Sequence, residues 1–439
     1  MQAPSLDRVA GGVKVLSMTE SSTLELTGHE RALLAGQGGP AARLAMRIVV
    51  RMGEILGARE LVEITSSHID GCLYHGDGGV EFAERLVGLG GTAAVPATLN
   101  VGALDLLNPA RVRSHGHRRE MALRLMRAYE ALGCRPTWTC APYQSGHRPA
   151  PGEHVAWGES NAVCFANSVL GARTNRYGDF MDICCAIAGR APRTGLHLDE
   201  HRRATVVVHT DAVGAEPRRR DVFYPVLGTW LGATVDDRVA VVTGLPGSVT
   251  EDQLKAMGAA AASSGAVGLF HVEGVTPEAP DLDTALGGAA PRTVLSPTPG
   301  ALRAARDTLS TAPAGPIDAV AVGSPHFSLE EFARLEALLP AEPFAVPFYV
   351  CTGRSEYRRL EGAGRLRRFE DAGVEIVVDT CVVVTPILPP KDGVLMTNSG
   401  KFAHYTPSNT GYGVVYGSLE DCVRSATRGR VTRDDSLWS

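Results

Sequence analysis

Three cysteines occupy positions where predicted strands end. Cys140, Cys351 and Cys381 each interrupt an apolar or small-residue stretch, and they are far apart in the sequence. Because a fold can bring the ends of different strands together, these thiols predict one shared site. Three thiolates that leave a coordination position open can hold a catalytic 2Fe-2S or 4Fe-4S iron–sulfur cluster, or iron alone. The alternative is that all three are core residues, since free cysteine is among the most buried residue types.

A second polar segment, residues 66–72, follows a strand predicted at 61–65. It reads Ser-Ser-His-Ile-Asp-Gly-Cys and places His68 and Asp70 two positions apart. A histidine oriented by a carboxylate can transfer protons as a general acid, so we expect this pair to be catalytic. The alternative is a polar turn in which the histidine is simply hydrogen-bonded.

A third group lies in the segment 136–190, which is rich in Gly, Asn, Ser, Pro and His. Glu159, Ser160 and Asn161 are followed there by Arg173 and Asn175. Asparagine and serine offer fixed hydrogen-bond donors, and arginine can hold a carboxylate or phosphate through two bonds. A long polar segment within a compact domain is usually functional or disordered. We interpret it as site-forming, with a hydrogen-bonded loop framework as the alternative.

A fourth group, at 397–405, contains a hydroxyl, a cation and an imidazole: Ser399, Lys401 and His404. The Ser-x-Lys spacing differs from the Ser-x-x-Lys of serine nucleophiles. Anion binding by the lysine is therefore favoured over nucleophilic catalysis. The chain has no GxxxxGK[ST], GxSxG or HExxH motif and no GxGxxG after a strand, so the common nucleotide-binding and hydrolase classes lack support.

The composition is that of an ordinary soluble globular protein, with 44% hydrophobic and 21% charged residues among 439. The net charge of −5 argues against nucleic-acid binding. No apolar run approaches about 20 residues, and no basic segment precedes an apolar run at the N-terminus. Neither a membrane span nor a secretory signal is expected. The nine cysteines indicate thiols or metal ligands of a cytoplasmic protein rather than a disulfide framework.

The hydrophobic pattern predicts a multi-domain α/β protein. We expect a flexible extension over residues 1–25, a first α/β region with donor-rich loops over 26–215, a second over 216–426 with two of the three cysteines, and a tail over 427–439. Thr27 and Glu30 have the spacing of a capping box. Apolar runs at 206–209, 239–242, 266–270, 319–322, 348–350 and 374–378 alternate with helical patterns, and a further strand is expected at 93–96. Such alternation predicts largely parallel sheets flanked by helices, with the site in the cleft between domains.

Several longer motifs resemble one known family. They lie at residues 67–75 (SHIDGCLYH), 96–102 (PATLNVG), 139–143 (TCAPY), 157–161 (WGESN), 195–197 (GLH), 379–381 (DTC) and 399–401 (SGK). Together with the run that continues to Arg176, they resemble the catalytic large subunit of aconitase X. The resemblance extends from about residue 26 to about residue 426, nearly the whole chain.

This resemblance implies a hydro-lyase of the aconitase superfamily that uses an iron–sulfur cluster. Archaeal members of the family dehydrate a phosphorylated mevalonate, and bacterial members resemble cis-3-hydroxy-L-proline dehydratase. The CLYHG form after His68 and the GDFMDI form at 178–183 look like the bacterial group. We therefore expect conversion of cis-3-hydroxy-L-proline to Δ1-pyrroline-2-carboxylate. The alternatives are a phosphomevalonate dehydratase, an aconitase-type isomerase, and a non-catalytic subunit that binds a small anion.

The resemblance also implies residue roles. It assigns the cluster to the three cysteines, with Cys72 in reserve, because Ser324 stands where some members have a cysteine. It implies catalytic roles for His68, Asp70, Ser399 and Lys401, with Lys401 also a candidate for holding the substrate carboxylate. The implied substrate-binding residues are Ser67, Glu159, Ser160, Asn161, Arg173, Asn175, His197 and Arg354. The family further implies a small swivelling domain that supplies a serine, and we expect a separate small subunit as its carrier.

Overall fold

The computed structural model describes residues 24–438 of the chain. Residues 1–23, which make up most of the predicted extension, lie outside this range. The backbone is already held at residue 25, because Glu25 N donates a hydrogen bond to Arg59 O at 2.8 Å. The predicted capping box is confirmed. Thr27 Oγ1 accepts from Glu30 N at 3.3 Å, and Glu30 Oε2 accepts from Thr27 N at 2.8 Å.

The N-terminal region comprises residues 24–202. Its helices are α1 (Gly28–Ala35), α2 (Gly39–Ile55), α3 (Asp77–Gly88), α4 (Gly116–Ala131), α5 (Ser160–Ser168) and α6 (Met181–Ala188). Its strands are β1 (Leu61–Glu63), β2 (Ser67–Ile69), β3 (Ala97–Leu99), β4 (Ala156–Trp157) and β5 (Arg190–Pro192). Strands β3-β2-β4 form a parallel sheet, and β1 pairs with β5 in antiparallel orientation. Asp70, Asn100 and Glu159 follow the three parallel strands, so they emerge at one edge of the sheet.

The central region comprises residues 203–308. It contains β6 (Val206–His209), α7 (Phe223–Val235), β7 (Ala240–Thr243), α8 (Glu251–Ser264), β8 (Phe270–Val272), α9 (Leu282–Leu286), β9 (Thr293–Leu295) and α10 (Pro299–Thr308). The parallel sheet has the order β8-β7-β6-β9. Helices α7 and α8 pack backbone to backbone, since a Cβ on Gly228 would lie 2.1 Å from Met257 O.

The C-terminal region comprises residues 309–438. It contains β10 (Ala319–Phe327), α11 (Leu329–Leu338), β11 (Phe348–Thr352), α12 (Arg354–Gly362), α13 (Leu366–Asp371), β12 (Val374–Val378), β13 (Val394–Thr397), α14 (Gly400–Thr410), β14 (Gly413–Tyr416) and α15 (Leu419–Arg428). The parallel sheet has the order β12-β11-β10-β13-β14. After β10, strands β11 and β12 extend the sheet on one side, and strands β13 and β14 then extend it on the other side of β10. The direction of winding therefore reverses between β10 and β13, which is where open α/β sheets bind ligands.

The predicted fold class is confirmed, since the three larger sheets are parallel and helices flank them. The strand expected at 93–96 is wrong, because the pairing begins at Ala97, after Pro96. Proline has no N–H for a ladder bond. The segment 136–190 is more regular than its sequence predicts, because it contains α5 and α6. Every residue of both helices is buried, so neither has a polar face that would produce a helical period.

Two predicted boundaries can be located in the structure. The boundary at residue 215 falls between β6 and β7, which are hydrogen-bonded neighbours in one sheet. The division into two regions stays a prediction. The segment predicted as a tail packs back on the protein, because Trp438 is buried and the Arg306 guanidinium lies 5.7 Å from its ring centroid. Across the described range, no helix combines the length and the apolar character needed to cross a membrane.

Candidate active site

The carboxyl ends of four strands in the C-terminal sheet carry the residues of interest. Strand β10 ends in residues 323–327, β11 carries Cys351 near its end, and Cys381 follows β12. Strand β13 is followed by residues 398–401, which include Ser399 and Lys401. Parallel strands place these segments at one edge, around the point where the winding reverses.

The structure brings the three predicted cysteines together. Burial raises the pKa of Cys351 well above its usual value, and the neighbouring Cys381 and Cys140 raise it further. Burial likewise raises the pKa of Cys140 to about 12, against the opposing charge of Lys401. All three thiols are buried and none forms a disulfide. Three segments that are distant in sequence thus place uncharged thiols around one point.

The donor set of the site consists of three free, buried thiols. Cysteine thiolates are the ligands that hold iron–sulfur clusters in proteins. Among residues 24–438, no three His, Cys, Asp or Glu side chains are placed to hold one metal ion.

The reserve candidate, Cys72, has a different environment. Its Sγ is buried and donates to Ile69 O at 3.4 Å and Asn100 O at 3.3 Å. These acceptors belong to the N-terminal sheet. Ser324, the residue in place of a possible fourth cysteine, is buried, and its carbonyl accepts a hydrogen bond from Ser399 Oγ.

His326 is a central residue that the sequence interpretation missed. Its main-chain N donates to Cys140 Sγ at 3.3 Å, and its ring lies between Thr139 Oγ1 at 3.0 Å and Thr380 O at 3.2 Å. It therefore joins the segments that carry Cys140 and Cys381. The only sequence signal was the GSPH motif at 323–326, from which Ser324 alone was considered. Gly323 in that motif has φ +94°, and a Cβ there would lie 2.1 Å from Cys351 O.

His68 is held by a chain of hydrogen bonds rather than by Asp70, so the predicted pairing of these two residues is corrected. Strand β2 ends at Ile69, and in the turn that follows the Asp70 carboxylate accepts from Asn100 Nδ2 rather than from the ring. His68 Nδ1 bonds to Thr98 Oγ1 at 2.8 Å, and Thr98 Oγ1 bonds to His147 Nδ1 at 2.7 Å. Burial, and then the charge of His147, lowers the pKa of His68 well below its usual value. The His68 ring is therefore neutral.

Asp70 lies in a cluster of carboxylates. Asn100 Nδ2 donates to its Oδ1, and its main-chain N donates to Asp182 Oδ2 at 2.6 Å. Burial raises the pKa of Asp70 to about 6, with further contributions from the charges of Glu159 and Asp179. A neighbouring cation would relieve this accumulation of negative charge.

Lys401 and Glu159 form a largely buried ion pair beside the cysteines. Glu159 also caps α5, accepting from Ala162 N at 2.7 Å. Burial alone would raise the pKa of Glu159, but the charge of Lys401 holds it below its usual value. Ser160 Oγ donates to Glu159 Oε1 at 3.3 Å, and Asn161 Nδ2 donates to Cys140 O at 3.1 Å. The predicted residues 159–161, Lys401 and Cys140 therefore belong to one connected group.

Three other predicted residues have structural partners near this group. Arg354 binds Asp379 through two hydrogen bonds of 3.0 and 2.6 Å, two positions before Cys381. Ser399 caps α14, accepting from Phe402 N at 3.0 Å. Ser67 Oγ donates to Ala156 O at 2.6 Å, which joins β2 to β4. Each of these side chains already forms hydrogen bonds with a neighbouring residue. Their predicted roles in catalysis and substrate binding stay predictions.

Arg173, Asn175 and His197 belong to a different part of the fold. Their partners are, respectively, the Asp199 carboxylate, Thr194 O at 3.0 Å and Tyr177 Oη at 2.7 Å. These bonds join residues 194–199 to residues 173–177 within the N-terminal region. Within the described range, no hydrogen bond of these three side chains reaches Lys401 or a cysteine of the trio. The structure therefore does not bring them together with the other candidates.

A cleft of about 620 Å³ opens next to Ser324 and Ser399, between the central and C-terminal regions. Ser324, Asn398 and Ser399 line it on one side, and Pro225 and Lys255 line it on the other. Two sequence-predicted positions thus face a cavity at the carboxyl edge of the sheet. The size is within the range of small-molecule sites.

Comparison with known protein families identifies this architecture. Family models named aconitase X first, second and third domain match residues 23–200, 204–307 and 317–428. The chain belongs to the aconitase X family. The three matched ranges correspond closely to the N-terminal, central and C-terminal regions described above.

Named relatives extend the aconitase X assignment. A cis-3-hydroxy-L-proline dehydratase of Pseudomonas aeruginosa is 46% identical over 421 residues, which cover 94% of this chain and 72% of the relative. A phosphomevalonate dehydratase large subunit of Methanothermobacter thermautotrophicus is 38% identical, with coverage of 90% and 97%. The crystal structure of Thermococcus kodakaraensis aconitase X in its holo-form gives a TM-score of 0.82 at 33% identity, covering 92% of this chain and 100% of that chain.

These findings confirm the predicted family and enzyme class. The relatives of this aconitase X chain are dehydratases, so the chain is an enzyme of the hydro-lyase class. Aconitase-family dehydratases generally use iron–sulfur clusters.

Proposed function

We propose that this chain dehydrates cis-3-hydroxy-L-proline to Δ1-pyrroline-2-carboxylate. The observation that carries the proposal is the 46% identity to a cis-3-hydroxy-L-proline dehydratase along 94% of the chain. The phosphomevalonate dehydratase large subunits are less similar, at 32–38%. Dehydration removes a proton beside the carboxylate and hydroxide from the neighbouring carbon, and the resulting enamine tautomerises to the pyrroline.

The charges of the site support this substrate. Asp70 lies among the carboxylates of Glu159, Asp179 and Asp182, and Lys401 is a nearby cation. The ring ammonium of a hydroxyproline would reduce the mutual repulsion of these carboxylates. A phosphorylated substrate carries several negative charges and would increase it. The acidic surroundings therefore favour a zwitterion.

Cys140, Cys351 and Cys381 would hold the cluster. When bound, a cluster supplies a Lewis acid that helps a hydroxyl group to leave. Burial raises the pKa of all three thiols, so loading of iron releases protons and depends on pH.

His68 is the proposed hydrogen-bond donor to the departing oxygen. Ser66 Oγ, His147, Thr98 and His68 form a continuous chain of hydrogen bonds of 2.7–2.8 Å. If each group donates to the next, Thr98 Oγ1 donates to His68 Nδ1, and the proton of His68 is on Nε2. This Nε2 is buried and forms no hydrogen bond of full geometry among the described residues, although the Thr139 main chain interacts with the ring. The neutral ring can therefore polarise the departing group by a hydrogen bond while it keeps its proton.

Lys401 is the proposed partner of the substrate carboxylate. Its ammonium is largely buried and kept charged by Glu159, whose attraction outweighs the effect of burial on the pKa of Lys401. Glu159 fixes the direction of the ammonium from the start of α5. Arg354 and Arg173 are each paired with an aspartate, so they support the fold around the site in this proposal.

We further propose that the chain acts with a small swivel-domain subunit. Relatives named as large subunits match this chain over 97–99% of their length, whereas the Pseudomonas aeruginosa relative matches over 72% of its length. Closure of such a domain would exclude water and complete the site. Co-purification with the product of a neighbouring reading frame of about 130 residues, within the usual range of domain sizes, tests this point.

The substrate is tested with anaerobically purified protein and its co-expressed partner. We expect a pyrroline product from cis-3-hydroxy-L-proline, observed by NMR, and no reaction with a 5-phosphomevalonate. Turnover of the phosphomevalonate alone would reverse the substrate assignment. A rehydrated hydroxy acid would indicate an isomerase, and colourless, iron-free, inactive protein would indicate a binding subunit.

A further inference from the structure

A buried ammonium lies behind His326, where the three regions meet. Lys255 in α8 is 2% exposed. Its Nζ donates to Gln144 Oε1 at 2.9 Å, Asp252 Oδ1 at 2.8 Å, Glu331 Oε2 at 2.5 Å and His326 O at 3.3 Å. Gln144 belongs to the N-terminal region, Asp252 to the central region, and Glu331 and His326 to the C-terminal region. One side chain thus binds all three regions.

The main chain of His326 is held on both sides. Its carbonyl oxygen accepts from Lys255 Nζ and from Gln144 Nε2 at 3.1 Å. Its amide donates to Cys140 Sγ at 3.3 Å. A displacement of the carbonyl would therefore move the amide away from the sulfur. Among residues 24–438, Lys255 forms no hydrogen bond with a cysteine; it reaches the Cys140 segment through His326 and through Gln144, whose main-chain N donates to Ala141 O at 3.0 Å.

Lys255 stays protonated and charged despite its burial. Burial alone would lower the pKa of Lys255, but the carboxylates of Asp252 and Glu331 raise it. Hydrogen bonds from a charged donor are stronger than those from a neutral one. The ammonium is therefore a firm anchor for the His326 carbonyl.

We propose that Lys255 is a positioning residue of the active site, which fixes His326 so that its amide meets the sulfur of Cys140. This inference rests on the proposed role of Cys140 as a cluster ligand. Hydrogen bonds to ligand sulfurs, and the residues that orient ligands, tune a metal site and its affinity. Lys255 thus connects the packing of the central region to the geometry of the cysteine trio.

The alternative is that Lys255 only holds the regions together as an ion pair. The two roles differ in their effect on individual thiols. A positioning role loosens Cys140 selectively, whereas loss of a general ion pair affects buried thiols throughout the protein. The rate at which each cysteine is alkylated in metal-free protein measures this difference and requires neither cluster nor substrate.

The main variant is Lys255→Met combined with Glu331→Gln. Removing the lysine alone would leave two carboxylates without their counter-charge, which is strongly destabilising. The double variant removes one charge of each sign. Asp252 keeps an ion pair with Arg334 at 3.2 Å, and a glutamine at 331 can still accept from Ser328 N as the glutamate does at 2.8 Å. Gln144→Leu is the second variant, since it removes the other donor to the His326 carbonyl.

Iodoacetamide labelling of metal-free protein, followed by peptide mass spectrometry, gives the rate for each cysteine. We expect Cys140 to react at least about tenfold faster in the double variant, because a buried thiol is alkylated only when its surroundings open, and the charged hydrogen bond to His326 O is worth more than a factor of ten in that opening equilibrium. This increase in access is expected to outweigh the loss of the His326 amide bond, which lowers the pKa of Cys140. Cys164 and Cys422, which are buried in other cores, should keep their rates. Arg148→Gln is the matched control, because it removes an exposed bond to Glu251 of α8 and leaves His326 untouched.

Unchanged labelling of Cys140 in the folded double variant would overturn the inference, as would an equal increase at Cys164 and Cys422. If the double variant does not fold, Gln144→Leu decides by the same criterion. Failure of the proposed function shows separately, as absence of turnover of cis-3-hydroxy-L-proline by wild-type protein whose thiols respond as expected.

Discussion

Lys401 and Glu159 form an ion pair although 242 positions separate them in the chain. Glu159 follows β4 of the N-terminal sheet, and Lys401 lies in the first turn of α14, after β13 of the C-terminal sheet. Their side chains are 5% and 14% exposed. The pair therefore joins the carboxyl edges of two separate sheets at the point where the cysteines meet.

Removal of Lys401 should destabilise the protein by leaving the Glu159 carboxylate buried without its counter-charge. We expect Lys401→Met to lower the free energy of unfolding by about 3–5 kcal/mol. Lys401→Met with Glu159→Gln should recover most of the loss, because it removes both charges. Urea unfolding measures both values. Lys391→Met, which breaks an exposed pair with Asp318, should leave the free energy of unfolding nearly unchanged. Equal losses in the single and double variants would contradict this account.

Replacement of a cysteine of the trio should remove the cofactor. We expect Cys381→Ser to lower iron and sulfide per chain by at least about tenfold, a conservative value because even outer residues of metal sites alter affinity by 10–100-fold. Cys422→Ser is the matched control, since Cys422 is equally buried but lies in the core of the C-terminal region. Iron and sulfide analysis of anaerobically purified protein makes the comparison. Full iron content in Cys381→Ser would remove this residue from the ligand set.

Arg354 should affect the site through Asp379 rather than through the substrate. Arg354→Met leaves a buried carboxylate unpaired beside Cys381, and the pKa of Asp379, already raised by burial, should rise further. We expect lower iron content and a lower kcat, with KM changed by less than about threefold, since uniform substrate binding is unaffected. Steady-state kinetics normalised to iron separate these effects. A large rise in KM at normal iron content would show instead that Arg354 holds the substrate.

Asp70 should make stability depend on pH. Its pKa is raised to about 6, chiefly by burial, above an unfolded value of about 3.9. The folded state therefore binds the proton more tightly, so the stability from Asp70 is present below pH about 4 and is lost as pH rises to about 6. Asp70→Asn should remove a slope of about one proton in this window. Urea midpoints from pH 4 to 8 test this.

A residual slope at higher pH is expected in the same variant. Burial raises the pKa of Asp182 to about 8, and its contribution has the same sign. That contribution is lost from about pH 4 to about pH 8, so Asp70→Asn should reduce the slope between pH 4 and 6 from about two protons to about one and leave the decline between pH 6 and 8. Identical profiles of wild type and variant below pH 6 would contradict the assignment of the lower slope to Asp70.

Features that depend on local sequence could be predicted. The capping box of Thr27 and Glu30 needs only residues three apart, and strands β6 and β12 are short runs of mostly apolar residues. Cys351 and Cys381 could be placed at strand ends for the same reason. Cys140 could not, because it lies in a loop between α4 and β4 where the sequence predicted a strand.

Features that depend on tertiary contacts could not. His326 matters because its main-chain amide reaches Cys140, 186 positions away, and no side-chain pattern reveals a main-chain donor. Thr98, on the neighbouring strand, bonds to the His68 ring. Asp70, which is nearer in the sequence, accepts from Asn100 instead. Helices α5 and α6 are buried all round, so burial itself removed the polar face by which a helix is recognised.

The winding of the C-terminal sheet has a consequence for biosynthesis. Its middle strand is made first, and the lysine-bearing segment after β13 emerges some seventy residues later, well after Cys140 and Cys351 have left the ribosome. No translated fragment that lacks the last quarter of the chain contains both halves of the carboxyl edge. Under the proposed ligand set, a cluster could be inserted only after Cys381 has been made, and the thiols of Cys140 and Cys351 would have to stay reduced until then.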